Sequence, residues 1–319
     1  MYHMRNLLTA IVFIAMVLLA GNRIYMPFGK EDGSSLAKEV SLMQKAESDP
    51  LFKEIKQKAN EYNEEPENAY LDRVWKKTPG RNGLQVNVQA SYKQMKKNGT
   101  FTSKLLVKDE VKPAIQLNDL PASPIYRGHP KKEMTALLIN VSWGEEYIPQ
   151  MLKTLKEEKV KASFFIEGKW AKKHPDMVKM IADEGHLIGN HAYNHPDMAK
   201  ISQQEMTYQI AETNTILEAM IGKKPIWFAP PSGSFNQNVV DKANQEGMHT
   251  ILWTVDTIDW KNPTVSVMVK RIEEKVHPGA TILMHPTRAA SSGLPEMIKL
   301  IKQKDLRLGT IENLTSSER

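Results

Sequence analysis

The sequence predicts an α/β fold built on a parallel sheet, open or closed into a barrel, from about Met134 onward. Two observations predict it. Short apolar, β-prone segments alternate with helical patterns along this stretch, and repeated strand–helix alternation calls for parallel strands joined by crossover helices. The apolar segments also run out into clusters of polar, aromatic and proline residues. In parallel α/β folds the loops after the strands build the functional site.

The elements follow in chain order. Arg5 precedes the unbroken apolar run Leu7 to Gly21. A charged start followed by such a run reads as an export signal, shorter than the roughly 20 residues of a comfortable membrane span. Leu19 stands where a small residue would favour cleavage before Gly21. Residues 1–29 are therefore expected to be a signal peptide or signal anchor, which implies an extracytoplasmic protein, secreted or attached to the membrane through this segment. Residues 30–131 read as a small α+β accessory region. Lys30 to Ser35 is a polar spacer, and Asp49-Pro50 starts a helix with Leu51, Ile55 and Ala59 on one face. Thr78 to Gly83 is a turn, Leu84 to Val88 alternates like a strand, Ser91 to Lys97 suits a short helix, and Lys104 to Val107 suits another strand. Leu120-Pro121-Ala122-Ser123-Pro124 marks the boundary to a domain over residues 132–319.

In that domain, strands are expected at Ala136–Ile139, Ala162–Ile166, Ile226–Phe228, Thr250–Trp253 and Ala280–Leu283, with Leu187-Ile188 a further short apolar piece. Helices are expected at Tyr147–Glu158, Pro175–Glu184, Gln203–Met220, Val239–Glu246, Thr264–Val276 and Leu294–Lys304. Five marked loops follow strands: Asn140-Val141-Ser142-Trp143-Gly144, His191 to Pro196, Ala229 to Gly233, Asp256 to Trp260, and His285.

Composition narrows the chemistry. The 319 residues are 41% hydrophobic and 25% charged, as in a folded protein. The chain has no cysteine, which excludes disulfides, thiolate nucleophiles and cysteine-type zinc sites. The net charge of +6 is spread along the chain and gives no indication of nucleic acid. His191 and His195, four residues apart, can supply two imidazole nitrogens to a metal ion, but a catalytic zinc usually takes three protein ligands.

The five loops, in this order, resemble the motifs of the polysaccharide deacetylases, the family with the NodB homology domain (carbohydrate esterase family four), over about Lys132 to Thr310. The N-terminal anchor, the Pro-Gly-Arg-Asn-Gly segment from Pro79 and the altered first motif are similar to the YlxY-type sporulation-associated deacetylase-like proteins of bacilli. The resemblance implies a distorted parallel (β/α) barrel of the polysaccharide deacetylase type. It also implies metal-assisted removal of N-acetyl groups from amino sugars of peptidoglycan, chitin or related polymers. In that chemistry a metal polarises the amide carbonyl and activates water, a carboxylate takes the water proton, a backbone donor holds the oxyanion, and an acid protonates the leaving amine.

Carried over residue by residue, the match is uneven. His191 and His195 stand at the metal-ligand pair, His285 at the catalytic acid and Asp259 at the carboxylate that orients it. Trp260 stands at the groove wall, Leu283 at the acetyl-pocket wall, and Ser232 in the segment whose backbone holds the oxyanion. Three positions depart. Ser142 replaces the base aspartate, Trp143 the ligand aspartate, and Ala229 the arginine that holds the base. Serine is no general base at neutral pH, and indole offers a metal no lone pair; its bulk would fill the ion's space. Losing one partner of a buried charge pair costs about 3–5 kcal/mol, whereas losing both can be neutral, as expected of a site dismantled together. The metal-water half is therefore expected to be lost and the leaving-group half kept. A divalent metal (zinc or similar) would then bind weakly or not at all. The expected partner is N-acetylated cell-wall glycan, with hydrolysis weak or absent. The alternative is an active N-deacetylase using a substitute carboxylate: Glu145, Glu146 or Asp256. The two glutamates also suit the first turn of a helix, and Asp256 suits a loop cap.

Overall fold

The computed structural model describes residues 46–319, so the apolar run Leu7 to Gly21 and the export segment inferred from it lie outside the described residues. Among the described residues no helix is long and apolar enough to cross a membrane. The chain divides into two compact units. One comprises residues up to Ala59 together with Val88–Val107, the other Asn60–Asn87 together with Lys108–Arg319.

The smaller unit pairs two helices. In α1 (Pro50–Lys58) proline occupies the first turn, where no amide hydrogen is needed, and the Asp49 carboxylate accepts from the Leu51 amide at 2.9 Å. Leu51, Phe52 and Ile55 are buried. In α2 (Val88–Met95) Tyr92 lays its ring edge-on to Phe52 and donates its hydroxyl to Asp49 at 2.7 Å. The strand expected at Lys104 to Val107 is not formed. Ser103–Leu105 is a single 3-10 turn, the Val107 amide donates to Ser91 Oγ, and the strand begins one residue later at Lys108. The sequence Lys-Asp-Glu-Val of that strand is charged and exposed, so its pairing left no apolar signature.

In the larger unit, β1 (Tyr70–Asp72) pairs antiparallel with β2 (Lys76–Thr78), and β3 (Gly83–Val86) with β4 (Lys108–Val111). The boundary expected at residues 131 and 132 does not coincide with the division into units. Lys131 pairs with Glu67 at 2.9 Å, and Arg319 with Glu64 at 2.6 Å, tying the small strands to both ends of the sheet-bearing segment. The change of composition near Met134 marks where the large sheet starts, not where a unit starts.

That sheet is all-parallel. It contains β5 (Met134–Val141), β6 (Ser163–Ile166), β7 (Leu187–Asn190), β8 (Trp227–Phe228), β9 (His249–Thr250), β10 (Val255–Asp256), β11 (Thr281–Met284) and β12 (Arg307–Gly309). Its order is β10-β11-β5-β6-β7-β8-β9, with β12 beside the first residues of β5. The sheet curls without pairing β9 to β10. The gap is spanned by Ile125 and Tyr126. Ile125 bridges to Ile251, and the Tyr126 carbonyl accepts from Thr281 Oγ1 at 2.5 Å.

Alternation divides the strands into two faces. Leu137, Ile139, Val141, Phe164, Ile166, Ile282 and Met284 pack outward under the helices. The helices of this unit are α3 (Ile148–Glu157), α4 (Gly168–Lys173), α5 (Pro175–Asp183), α6 (Gln203–Ile221), α7 (Gln237–Gln245), α8 (Val265–Lys275), α9 (Arg288–Gln303) and α10 (Ile311–Thr315), of which α7 packs on Phe228 and α10 joins the inner cluster through Ile311 and Leu314. Ala136, Leu138, Phe165, Trp227, Ala229 and Ile251 pack inward with Ile125. Gly189 on β7 makes room for this interior: a Cβ there would lie 2.5 Å from the Phe165 ring.

Candidate functional site

All five marked loops leave the C-terminal ends of their strands, β5, β7, β8, β10 and β11, so the curl brings their residues to one end of the sheet. The register orders them. Asn140 pairs with Phe165, and Val141 with Ile166. The Glu167 amide donates to the Val141 carbonyl, the His191 amide to Ile166, and the Ala229 amide to Asn190. Ser142, Glu167, His191 and Ala229 thus form one inward-facing row across four adjacent strand ends, one layer beyond Asn140 and Phe165.

The most completely bonded group is Asp259, which is 0% exposed. One carboxylate oxygen accepts from His285 Nδ1 at 3.0 Å and from Thr257 Oγ1 at 2.9 Å. The other accepts from the His285 amide at 2.9 Å and from Thr287 Oγ1 at 3.0 Å. Burial by itself would raise the carboxyl's pKa, but these bonds, led by His285, outweigh it and hold the group below its ordinary range. An ionised carboxylate only accepts, so His285 Nδ1 carries a proton and Nε2 is the nitrogen left for a ligand. Thr287 also caps α9 through the Ala290 amide, which anchors this assembly to a long helix. Beneath it Leu283 is buried on β11.

Asp256 accepts the amide of Ile258 at 2.7 Å. It thereby holds a β-branched residue at φ 53°, a costly conformation. Ala192, His195 and Ser232 share the left-handed region. The loops at the sheet end thus hold backbone strain, as do Lys76, Lys159 and Asp305 elsewhere.

His191 is buried, and its Nδ1 lies 2.7 Å from the Ala229 carbonyl. A carbonyl only accepts, so Nδ1 carries the hydrogen and the Nε2 lone pair is free. Burial, and then the nearby His195, lower its pKa to about 3 and keep the ring neutral. A metal-ligating histidine commonly has its other ring nitrogen bonded to a carbonyl in this way, which fixes the tautomer and the ring's orientation. His195 stands edge-on to it at 5.2 Å between ring centres.

A third ligand does not follow. Among the described residues no group of three or more His, Asp or Glu side chains is placed to hold a metal ion. Trp143, at the position of the expected ligand aspartate, does not fill the ion's space as its bulk suggested. It is 45% exposed and lies parallel to the His285 ring, 5.9 Å between centres. Gly144 permits this, because a Cβ there would lie 2.0 Å from the Pro286 carbonyl oxygen; the β5 and β11 loops touch at that point. Two imidazoles without a third donor do not fit a catalytic metal.

Of the carboxylates considered as substitutes, Glu145 and Asp256 are engaged elsewhere. Glu145 opens the turn before α3, accepts from Trp170 Nε1 at 3.4 Å and lies 4.0 Å from His174. Glu146 is exposed on the same turn. Sequence reasoning missed Glu167, 8% exposed at the end of β6. Burial raises its pKa, only partly offset by Ser142 and by the charges of Lys169 and Lys173. It forms no ion pair within 4 Å among the described residues. The Ser142 hydroxyl faces it, buried and without a hydrogen bond of ordinary geometry. The signal was available: Ser163 and Phe165 alternate inward, so Glu167 continues their face.

Two exposed indoles flank the site. Trp260, 51% exposed, follows Asp259 directly, with Lys261 Nζ 4.9 Å above its ring; Trp143 covers His285. Ser232 is exposed in the turn after β8. Concavities of about 300 and 320 Å³ lie at the opposite end of the strands around Trp227 and contain none of these residues.

A parallel sheet curled into a partial barrel, with histidines and a buried aspartate at its strand ends, defines the class, and comparison agrees. Residues 127–251 match the polysaccharide deacetylase profile. The chain is 49% identical to the uncharacterized protein YlxY of Bacillus subtilis over 274 residues, 86% of each chain. The chain belongs to the polysaccharide deacetylase family. It is 35% identical to a peptidoglycan-N-acetylglucosamine deacetylase of Bacillus cereus over 61% of this chain and 73% of that one. Among solved structures it is similar to BA3943 of Bacillus anthracis, described as a CE4 family pseudoenzyme. The TM-score is 0.81 at 47% identity, covering 84% of this chain and 96% of that one. A mutant of that protein, described as having restored enzymatic activity, aligns with the same TM-score at 46% identity, covering 84% and 99%.

Proposed function

We propose that this protein binds cell-wall glycan built from N-acetylated amino sugars through a dismantled deacetylase site, with hydrolysis weak or absent. The observation that carries the reading is Trp143. A ligand position has become an exposed indole lying parallel to His285, and a second indole, Trp260, is exposed next to Asp259 in the chain. Exposed aromatic faces beside polar groups suit the apolar faces of sugar rings, while among the described residues no third ligand joins the two imidazoles. In this reading His285, held by the buried Asp259, keeps its place as a polar contact for the sugar, Leu283 walls the acetyl pocket, and Ser232 offers backbone. Ser142, Trp143 and Ala229 replace the base, the ligand and the arginine. The similarity to a pseudoenzyme and to a peptidoglycan deacetylase supports both halves of the proposal. It accords with an extracytoplasmic site of action, where such glycan is found.

The test is titration calorimetry of the full chain with N-acetylglucosamine oligomers and soluble peptidoglycan fragments, alongside Trp143→Ala and Trp260→Ala. Stacking of a flat ligand face on an aromatic ring contributes on the order of 1–3 kcal/mol in other polymers, so each variant should bind about tenfold more weakly or worse. Unchanged binding in both variants would remove the glycan reading from this site.

A further inference from the structure

Among the described residues, the buried acceptors at the sheet end outnumber the donors beside them, of which the Ser142 hydroxyl is turned toward Glu167. Asn140 is 3% exposed, and its Oδ1 has no hydrogen-bond partner. By alternation it faces the same interior as Ser142, whose buried Oγ is turned toward Glu167 without a hydrogen bond of ordinary geometry. Next to Ser142 in the row is the carboxyl of Glu167, and next to that His191, whose Nε2 lone pair is unengaged because Nδ1 is bound to Ala229. The position expected to hold an arginine is the methyl of Ala229. Buried acceptors without donors cost free energy, and a buried carboxyl without an ion pair is met best by a compact cation with several hydrogens. Lys169 and Lys173 act on Glu167 only from a distance, without an ion pair.

The geometry points to a specific occupant: we propose that Glu167, with Asn140 and Ser142, seats the ammonium group of a de-N-acetylated amino sugar within the wall glycan. The inference rests on the glycan-binding reading and names which sugar of the polymer enters the site. An ammonium offers three hydrogens, and Asn140, Ser142 and Glu167 present acceptors on one face of adjacent strands. An N-acetyl group offers one N–H and brings a carbonyl acceptor against acceptors. The protein's net charge of +6 opposes general attraction to a cationic glycan, so a preference for the amine would arise from this row. The protein would then recognise the product of a deacetylation rather than its substrate.

The test compares glucosamine tetramer with N-acetylglucosamine tetramer by calorimetry on the full chain, at a pH where the sugar amine is protonated. The glucosamine tetramer should bind about tenfold more tightly, the scale of one charge-assisted hydrogen-bonded contact. Glu167→Gln should bring the two within about twofold, while Trp260→Ala should weaken both alike. If Glu167→Gln fails to fold, Glu167→Asp retains the charge on a shorter arm and should reduce the preference without abolishing it. Equal affinity, tighter binding of the acetylated tetramer, or a preference unaltered in the Glu167 variants would overturn the proposal and leave glycan binding intact. If neither tetramer binds, both readings fail.

Discussion

At the residue scale Asp259 and Trp143 carry opposite information. Asp259 receives hydrogen bonds from Thr257, Thr287 and two groups of His285, so its worth is partly structural. Each buried donor left unsatisfied costs about 1–3 kcal/mol. Asp259→Ala should therefore lower the urea midpoint well beyond the loss in Trp143→Ala, whose indole is half in water. Equal losses would mean that the Asp259 bonds contribute little. The order of the motifs located Asp259 and His285 in the sequence. The orientation of Trp143 was not legible, because it depends on the contact between Gly144 and Pro286, two loops that meet only in the folded sheet.

At the scale of elements, the strands with apolar runs were legible and the polar ones were not. β5, β6 and β11 are buried over their length and announced themselves by composition. β1 and β4 are short and largely exposed, and β2 is short and polar although Lys77 and Thr78 are buried, so pairing rather than an apolar run defines them. Glu167 was missed for a related reason. It lies one residue past the apolar run of β6, where the period-two face continues into the site. The glycine of β7 gives a direct check of this inner face. Gly189→Ala places a Cβ against Phe165 and should cost about 1–3 kcal/mol by overpacking. Trimming the ring in a Phe165→Leu background should recover part of that loss. Additive losses in a double-mutant cycle would refute the contact.

On the scale of the whole molecule, acid sensitivity is built into buried histidines away from the site. His129 and His186 each accept a backbone amide at Nδ1, from Lys131 at 3.2 Å and from Ala162 at 3.1 Å, which a protonated ring could not do in that tautomer. Burial pushes both down to about 4, against about 6.5 in an unfolded chain. With the folded pKa depressed, the unfolded state binds the proton first. The stabilisation is complete above about pH 6.5 and is lost as pH falls through 4, at up to about 1.4 kcal/mol per pH unit for each histidine. Denaturation followed between pH 7 and 4 should show this slope, reduced by about one proton in His186→Gln. An unchanged slope would place the sensitivity elsewhere.

The account as a whole holds that the leaving-group half of a deacetylase site persists while the metal half has been dismantled at Ser142, Trp143 and Ala229. Zinc binding and acetate release from N-acetylglucosamine oligomers, measured on the unmodified chain and on one carrying Ser142→Asp, Trp143→Asp and Ala229→Arg, test it most directly. The account predicts neither tight zinc nor acetate from the unmodified chain and a gain of both in the triple variant. Stoichiometric tight zinc and acetate release from the unmodified chain would contradict it.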